Sequence, residues 1–367
     1  MVVVPSAAAC RETTSPPPPP LPPLGIIPTV DMSAAAGRGE LARRLVRACA
    51  ERGFFRAVNH GVPARASAAL DAASAAFFAR PAPEKLAAGP PDPLGYGSRN
   101  IGANGDVGEL EYLILHSDPA AVERRAEAID GEHPSRFSEA VNEYVCAVRR
   151  LACRVLDLLG EGLGLADPAS LSRLVSAGDS DSLLRINHYP PARAAQDHRH
   201  GGRSCTAGGA KSGDGGGTVG IGFGEHTDPQ ILSLLRANDV DGLQVLLPDG
   251  HGGGDGWVQV PADPSAFFIN VGDLLQALTN GRLVSIRHRV VANSGGRARL
   301  STIFFAAPPL HARVAALPET VTPAAPRRYR PFTWGEYKKA MYAHRLSHNR
   351  LDLFLDDGGD GGHGCDQ

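Results

Sequence analysis

The segment GFGEHTDPQ carries a histidine and an aspartate two positions apart, His226 and Asp228. Side chains at i and i+2 of a β-strand point to the same face, so this pair would present an imidazole and a carboxylate to one point. About 60 residues later, in SIRHRVV, His288 shares a strand face with Ile286 and Val290. Two histidines and one carboxylate, with open positions left over, form the facial triad of non-haem iron oxygenases. The three residues therefore predict an iron site.

Each of these ligands is weak evidence when taken alone. The chain has 13 histidines, so an HxD pair can arise by chance, and a second one occurs at His116 and Asp118. His198 and His200 also have metal-like spacing, but they lie in a glycine-rich segment. Either histidine of the predicted triad could instead be an ordinary loop histidine or a hydrogen-bonded core histidine.

Two further segments predict an anion site. In RARLSTIFF, Arg299 and Ser301 share a strand face with apolar residues, and in RINHYPP, Asn187 and Tyr189 share another. An arginine on an apolar face is costly unless it meets an anion. Its planar fork suits a carboxylate, to which a hydroxyl or a phenol can add a hydrogen bond. The alternatives are a structural ion pair for Arg299 and a buried core tyrosine for Tyr189.

The predicted secondary structure that must position these residues changes once along the chain, from helical to strand-like. Residues 38–170 show helical spacing of apolar side chains, as in the segment 135–164. From about residue 183 the segments become short and strand-like, separated by Gly, Pro, Asn or Asp. Several short strands with turn signals indicate a sandwich or a jelly roll. We therefore predict a mostly β structure with flanking helices (α+β) and a helical N-terminal region.

Low-complexity segments divide the chain. SPPPPPLPPLG favours extended polyproline, DDGGDGGHGCDQ has the composition of a disordered tail, and the Gly-rich stretch between two strand-like segments indicates a surface-loop insertion. The predicted organisation is a Pro-rich tail at 1–25, an N-terminal helical region at 26–180, a catalytic core at 181–310 with the insertion at 193–219, a C-terminal helical segment at 311–355 and a disordered tail at 356–367.

Composition excludes several classes of function. The formal net charge is -2 with no long basic stripe, which argues against nucleic acid as a partner. No apolar run approaches the roughly 18 to 20 residues that span a bilayer, so we expect no membrane association. The six cysteines form no CxxC pair, which argues against a disulfide framework or a thiolate zinc site. Reduced thiols in the cytoplasm, with the nucleus as a second compartment, are the simplest interpretation.

In this order, NHYPP, HTD, His288 and the triplet RLS resemble the plant 2-oxoglutarate- and Fe(II)-dependent dioxygenases, as do IIPTVDM and GFFRAVNHGVP near the N-terminus. The resemblance covers about residues 26–355. Within that family the chain is most similar to the gibberellin 2-oxidases of C19 type. The similarity lies in four stretches: LGYGSRNIGANGDVGELEYLIL, GFGEHTDPQILSLLR, NVGDLLQALTNGR and FTWGEYKKAMY.

The resemblance implies a double-stranded β-helix (jelly-roll) core. It also implies Fe(II) as cofactor, 2-oxoglutarate and O2 as cosubstrates, and ascorbate as reductant in an assay. The implied activity is 2β-hydroxylation of C19 gibberellins, which inactivates the hormone. His226, Asp228 and His288 would hold the iron, and Arg299 would pair with the far carboxylate of 2-oxoglutarate. Asn187, Tyr189 and Ser301 would complete that cosubstrate site.

A gibberellin is an apolar multi-ring acid, so its pocket needs apolar walls and a cation or donor for the carboxylate. Arg99, in GYGSRNIG, is the candidate cation, and Tyr96 and Tyr112 are candidate lining residues. The alternatives are an exposed arginine and two core tyrosines. The sequence does not predict an oligomeric state.

Three rival functions stay open from the sequence. The first is another enzyme on the same scaffold, such as a gibberellin 3- or 20-oxidase, a flavonoid oxygenase, or an oxidase that needs no 2-oxoglutarate. The second is an inactive jelly roll that binds an apolar acid. The third is a scaffold that acts through its proline-rich tail.

Overall fold

The structure is a computed structural model that describes residues 25–33, 35, 37–90, 94–101, 106–191, 220–248, 255–292, 296–343 and 350–356. The Pro-rich tail (1–24), the Gly-rich insertion and the C-terminal tail from 357 lie outside the described residues. What the sequence predicts for those segments stays a prediction.

Eight strands form the larger sheet, which is antiparallel except where its first two strands pair. In spatial order they are β1 (Thr29–Asp31), β2 (Phe54–Val58), β10 (Phe267–Val271), β7 (Leu232–Ala237), β12 (Arg299–Ala306), β5 (Leu183–Tyr189), β4 (Asp106–His116) and β3 (Gly95–Ile101). The N-terminal region thus contributes four strands to this sheet.

Four strands form the smaller sheet, and two short strands pair near the C-terminus. The smaller sheet has the order β6 (Ile221–His226), β11 (His288–Val291), β8 (Leu243–Pro248) and β9 (Asp255–Gln259). The short pair is β13 (Arg313–Val314) with β14 (Phe332–Thr333).

The helices lie mainly before the catalytic strands. They are α1 (Arg38–Glu51), α2 (Ala64–Ala79), α3 (Ala82–Leu86), α4 (Pro119–Ile129), α5 (Pro134–Leu163), α6 (Ser170–Ser176), α7 (Asp273–Leu278) and α8 (Trp334–Tyr342). Two 3-10 turns, Pro318–Thr320 and Arg350–Phe354, complete the C-terminal segment. None of the helices in the described part of the chain is both long and apolar enough to cross a bilayer.

Helix α5 is the long helix that covers the larger sheet. Its apolar residues recur at helical steps, so one side is buried, including Phe137, Val141, Val148 and Val155. The helix ends at Gly164, whose φ of 75° is in the left-handed region that favours glycine at a helix C-terminus. The sequence prediction of a helix over 135–164 is confirmed.

The two sheets enclose an apolar cluster of their own, separate from the helix-covered core. It combines Leu235 and Ile303 from the larger sheet with Val245 and Val290 from the smaller one. Facing sheets joined by such a cluster are the jelly roll, and the predicted α+β fold class is confirmed. Strands β5, β6, β11 and β12 carry their polar residues into the space between the sheets.

Candidate metal and carboxylate site

His226 is the last residue of β6 and His288 is the first residue of β11, and the two are directly paired across these antiparallel strands. Asp228 follows two residues after His226 and reaches the same point. One ligand atom from each of the three residues lies within 4.8 Å of the others. The Nε2 atoms of His226 and His288 are each 3.6 Å from Oδ1 of Asp228. The structure therefore brings together the three predicted metal ligands.

Backbone carbonyl oxygens fix the ring orientation of both histidines through their Nδ1 atoms. Nδ1 of His226 is 2.8 Å from the carbonyl oxygen of Gly224, and Nδ1 of His288 is 3.2 Å from that of Ile286. A ring nitrogen that faces a carbonyl oxygen carries a proton, so in the neutral form of either ring the free electron pair is on Nε2. Both Nε2 atoms face the aspartate, which is the side on which a metal would be bound.

The protonation state of the site suits a cation. Burial, with His288 beside it, lowers the pKa of His226 to about 4. Burial alone would raise the pKa of Asp228, but His288 and His226 hold that pKa well below its usual range. At neutral pH the site thus offers a neutral His226 and an ionised carboxylate, without removal of a proton from either.

These residues fit an Fe(II) ion. The 3.6 Å separations between the ligand atoms are close to the roughly 3 Å that separates adjacent ligands about 2.1 Å from an octahedral metal. Asn270 donates from Nδ2 to Oδ2 of Asp228 over 3.4 Å, which leaves Oδ1 directed at the two imidazoles. Two imidazoles and a carboxylate on one side of a metal leave its other positions open for small ligands.

Arg299 is a buried cation near the triad. Its side chain is only 2% exposed, and Nη1 donates to Oγ of Ser301 over 3.1 Å. Nε is buried without a hydrogen-bond partner, and no carboxylate of the described residues pairs with this guanidinium. A buried, unpaired charge is costly, so the arrangement calls for an anion.

Tyr189 lies directly opposite Arg299 in the pairing of β5 with β12. The guanidinium carbon of Arg299 is 5.2 Å from the centre of the tyrosine ring. Asn187, which is paired with Ser301, donates from Nδ2 to the phenol oxygen over 3.3 Å. Burial raises the pKa of Tyr189, so the phenol keeps its proton and can donate it to an anion. The structure brings all four predicted carboxylate-binding residues into register.

The metal ligands and most of the carboxylate-binding residues line one cavity between the sheets. Its walls are Arg185, Asn187, Tyr189, Phe223, His226, Asp228, Ser233, Leu235, Leu243, Asn270, His288, Val290, Ser301, Ile303 and Phe305. An acid that contacts Ser301 and Tyr189 can therefore reach the metal ligands without leaving the cavity.

Residues of α7 and of the C-terminal segment fix the backbone between His226 and Asp228 through hydrogen bonds. Thr227, which lies between the two ligands of the HxD pair, donates through Oγ1 to Asp273 over 3.2 Å. The phenol of Tyr337 donates to the same carboxylate over 2.6 Å, and Arg350 donates to the carbonyl oxygen of Thr227 over 2.6 Å. These contacts fix the turn from which Asp228 projects.

The three residues predicted to contact the substrate do not line this cavity. Tyr96 donates its hydroxyl to Glu111 over 2.7 Å, and Arg99 is exposed, with a φ of 64°, at a bulge between β3 and β4. Tyr112 donates to the carbonyl oxygen of Asn100 and is the nearest of the three, since its ring packs on Arg185. Their roles in substrate binding stay predictions.

Several lining residues were not predicted from the sequence, and Arg185 and Asn270 are the two that make polar contacts to site residues. Arg185 precedes Asn187 by two positions in RINHYPP, so the alternation of strand faces could have placed it in the cavity. Asn270 gives no such signal, because its strand is separated from the HxD pair and only the pairing of β10 with β7 brings it near.

Comparison with known sequences gives two family matches and close relatives. The model described as the 2OG-Fe(II) oxygenase superfamily matches residues 180–308, and the non-haem dioxygenase in morphine synthesis N-terminal model matches residues 27–129. Gibberellin 2-beta-dioxygenase 2 of Oryza sativa subsp. japonica is 71% identical over 90% of this chain and 86% of its own length. Gibberellin 2-beta-dioxygenase 1 of the same organism is 62% identical over 90% of this chain and 88% of its own length. The Phaseolus coccineus gibberellin 2-beta-dioxygenase is 44% identical over 89% of this chain and 90% of its own length.

Solved structures share the fold. The rice dioxygenase for auxin oxidation superposes with a TM-score of 0.68 at 28% identity, covering 90% of this chain and 100% of that one. JOX2, solved in complex with 2OG, Fe and JA, superposes with a TM-score of 0.73 at 26% identity, covering 91% and 90%.

Proposed function

The chain belongs to the 2OG-Fe(II) oxygenase superfamily and, within it, to the gibberellin 2-beta-dioxygenases, and from this membership we propose how its residues carry out the reaction. The protein is a 2-oxoglutarate-dependent dioxygenase that hydroxylates gibberellins at the 2β position. The observation that carries this assignment is the high identity to two rice enzymes of that activity over nine-tenths of the chain, together with the buried His-Asp-His cluster.

His226, Asp228 and His288 are the proposed iron ligands. When bound with 2-oxoglutarate, the iron activates O2 for attack on a C–H bond of the substrate. The protein holds His226 neutral and the carboxylate ionised, and it fixes the orientation of both imidazoles through the carbonyl oxygens of Gly224 and Ile286. Such preorganised ligands need little rearrangement when the metal enters.

Arg299, Ser301, Tyr189 and Asn187 are the proposed partners of the far carboxylate of 2-oxoglutarate. The buried guanidinium supplies the charge, and the neutral phenol and the hydroxyl supply further donors. An anion here satisfies Nε of Arg299, which otherwise has no partner. Orienting the cosubstrate from this end positions its other end at the metal ligands, because Ser301, Tyr189 and Asn187 line the same cavity as those ligands.

C19 gibberellins are the proposed substrates, and their 2β-hydroxylation is proposed to inactivate the hormone.

The proposed location is the cytoplasm or the nucleus. Within the described residues, Cys49, Cys146 and Cys153 are free thiols, which agrees with a reducing compartment. Neither nucleic acid nor a membrane is a proposed partner. The rival activities on the same scaffold are less well supported, since the close relatives are 2-beta-dioxygenases.

The substrate class is tested with a panel of C19 and C20 gibberellins, each incubated with Fe(II), ascorbate, 2-oxoglutarate and the protein. Mass spectrometry of the products is expected to show a 2β-hydroxylated C19 gibberellin as the main product, and no product with His226→Ala. Hydroxylation of the C20 members alone would overturn the C19 assignment. Succinate formation without any hydroxylated gibberellin would overturn the substrate class and keep the dioxygenase.

A further inference from the structure

Arg185 is a second cation in the cavity, and the site described above does not use it. It lies on β5, on the same strand face as Asn187 and Tyr189, and it lines the cavity with the metal ligands. Nε donates to Oδ1 of Asn187 over 2.8 Å. Nη2 is buried and has no hydrogen-bond partner.

No carboxylate forms an ion pair with this guanidinium in the described part of the chain, although the charge of Asp228 acts on it across the cavity. Among the ion pairs of the described residues none includes Arg185, although thirteen other arginines or lysines are paired with carboxylates. Two aromatic rings flank it instead, with its central carbon 4.2 Å from the ring centre of Tyr112 and 4.9 Å from that of Phe223. Aromatic faces hold a guanidinium in place without satisfying its N–H donors.

The position of Arg185 separates it from the cosubstrate anchor. In the pairing of β5 with β12, Arg185 is opposite Ile303, whereas Arg299 is opposite Tyr189. The two positions are four residues apart on β5, which is about 13 Å along the strand. The hydroxyl of Ser301 and the amide of Asn187 lie between them. Two cations so arranged can serve two different anions.

Arg185 is also close to one of the proposed metal ligands. The ring of Phe223 that packs on its guanidinium lies 4.7 Å, centre to centre, from the ring of His226. Ile303, which is opposite Arg185 on β12, and Phe305, two residues further along that strand, add apolar walls to the cavity. An unpaired cation, aromatic and aliphatic walls, and a metal site one ring away match the requirements of an apolar acid that is oxidised at the metal.

We propose that Arg185 binds the carboxylate of the gibberellin and thereby sets which carbon of the ring system faces the metal. This inference rests on the proposed function and assigns to Arg185 the role for which the sequence suggested Arg99. The free N–H groups of Arg185 donate to the carboxylate, while the Asn187 contact and the two rings keep the guanidinium in one orientation.

The test compares a gibberellin with its methyl ester, which keeps the ring system and removes the negative charge. Dissociation constants are measured by calorimetry with Mn(II) in place of iron and with 2-oxoglutarate bound, so that no turnover is needed. Wild-type protein is expected to bind the acid roughly ten- to a hundredfold more tightly than the ester, as for loss of a charge-assisted hydrogen bond. Arg185→Gln is expected to bind the two equally, at the affinity that wild type has for the ester.

Arg289 offers a matched control. Its guanidinium carbon also lies over an aromatic ring, 4.1 Å from the centre of Trp257, and its Nε also donates to a side-chain amide, that of Gln244, over 2.8 Å. It does not line the cavity. Arg289→Gln is expected to leave both dissociation constants unchanged, and the affinity for 2-oxoglutarate should be the same in all three proteins.

Three outcomes would overturn the proposal. If Arg185→Gln bound the acid and the ester more weakly by the same factor, Arg185 would affect only the shape of the cavity. Weakened 2-oxoglutarate binding with gibberellin affinity retained would assign Arg185 to the cosubstrate. If Arg185→Gln still bound the acid more tightly than the ester, the gibberellin carboxylate would have to bind to another residue. If wild type binds 2-oxoglutarate but neither gibberellin form, the proposed substrate class itself fails, which is distinguishable from all three.

Discussion

His226 and His288 are direct partners across β6 and β11, with ring centres 4.3 Å apart and Asp228 facing both. Neighbouring strands place these ligands, although about 60 residues of chain separate them. The geometry of the metal site therefore depends on the register in which β6 and β11 pair. A shift of either strand by one residue would turn its histidine to the opposite face.

Removal of the single carboxylate is expected to abolish metal binding. Asp228→Asn keeps the shape of the side chain but removes the charge that balances the cation. The affinity for Mn(II) or Fe(II), measured by calorimetry without oxygen, should fall by more than the roughly 10- to 100-fold that loss of an outer hydrogen-bond partner costs. Asp239→Asn is the control, since Asp239 pairs only with the exposed Arg297. Equal metal affinity of the two variants would contradict the assigned ligand.

Arg299→Lys is expected to weaken 2-oxoglutarate specifically. Lysine keeps the charge but replaces the planar fork, so the hydrogen bonds to a carboxylate are lost or distorted. The KM for 2-oxoglutarate should rise roughly ten- to a hundredfold, with a smaller change in kcat at saturation. The metal affinity should stay at the wild-type value. An unchanged KM for 2-oxoglutarate would show that the anchor lies elsewhere.

The metal-free protein is expected to lose stability in acid partly through His226. Its folded-state pKa is about 4, below the value of 6.5 for an unperturbed histidine. As pH falls from 6.5 towards 4 the unfolded chain therefore gains a proton that the folded protein does not, and the free energy of unfolding decreases by on the order of 3 kcal/mol.

Urea unfolding across this pH range, compared between wild type and His226→Gln, isolates that contribution. The variant should show a weaker dependence on pH between 6.5 and 4, because glutamine does not titrate. Parallel curves for the two proteins would mean that the folded environment does not lower the pKa of His226.

A close approach between Gly108 of β4 and Gly222 of β6 is expected to be needed for closure of the two sheets. A Cβ added at Gly108 would lie 2.1 Å from the carbonyl oxygen of Gly222, so the strands would have to separate. Gly108→Ala should lower the free energy of unfolding by about 1–3 kcal/mol, as overpacking does. At Gly256 an added Cβ meets no atom within 4 Å, so Gly256→Ala is the control. Equal stability of both variants would contradict this account.

Much of the metal and carboxylate site could be predicted from the sequence, because alternation along a strand defines which side chains share a face. That rule placed Asn187 with Tyr189 and Arg299 with Ser301. In the structure Asn187, Tyr189 and Ser301 line one cavity, and Arg299 contacts Ser301 and Tyr189. The same rule applied one step earlier along β5 would have found Arg185.

The remainder depends on long-range pairing that local patterns do not encode. The sequence indicates helices for residues 38–170, yet β2, β3 and β4 lie in that range and join the larger sheet. Strand β2 does so by pairing with β1 and with β10, which is far along the chain. The candidate substrate residue Tyr96 was chosen from a local motif. Its hydroxyl instead meets Glu111, which also binds Lys85 and His188, and such a polar cluster is visible only once the strands are assembled.

The most direct test of the central claim is the fate of oxygen in a complete reaction. The protein is incubated with Fe(II), 2-oxoglutarate and a C19 gibberellin under 18O2, and the products are read by mass spectrometry. The account predicts one 18O atom in a 2β-hydroxylated gibberellin and one in succinate, with the two products formed in equal amounts and neither formed by Asp228→Asn. A hydroxylated gibberellin without 18O, or one formed without succinate, would contradict the account.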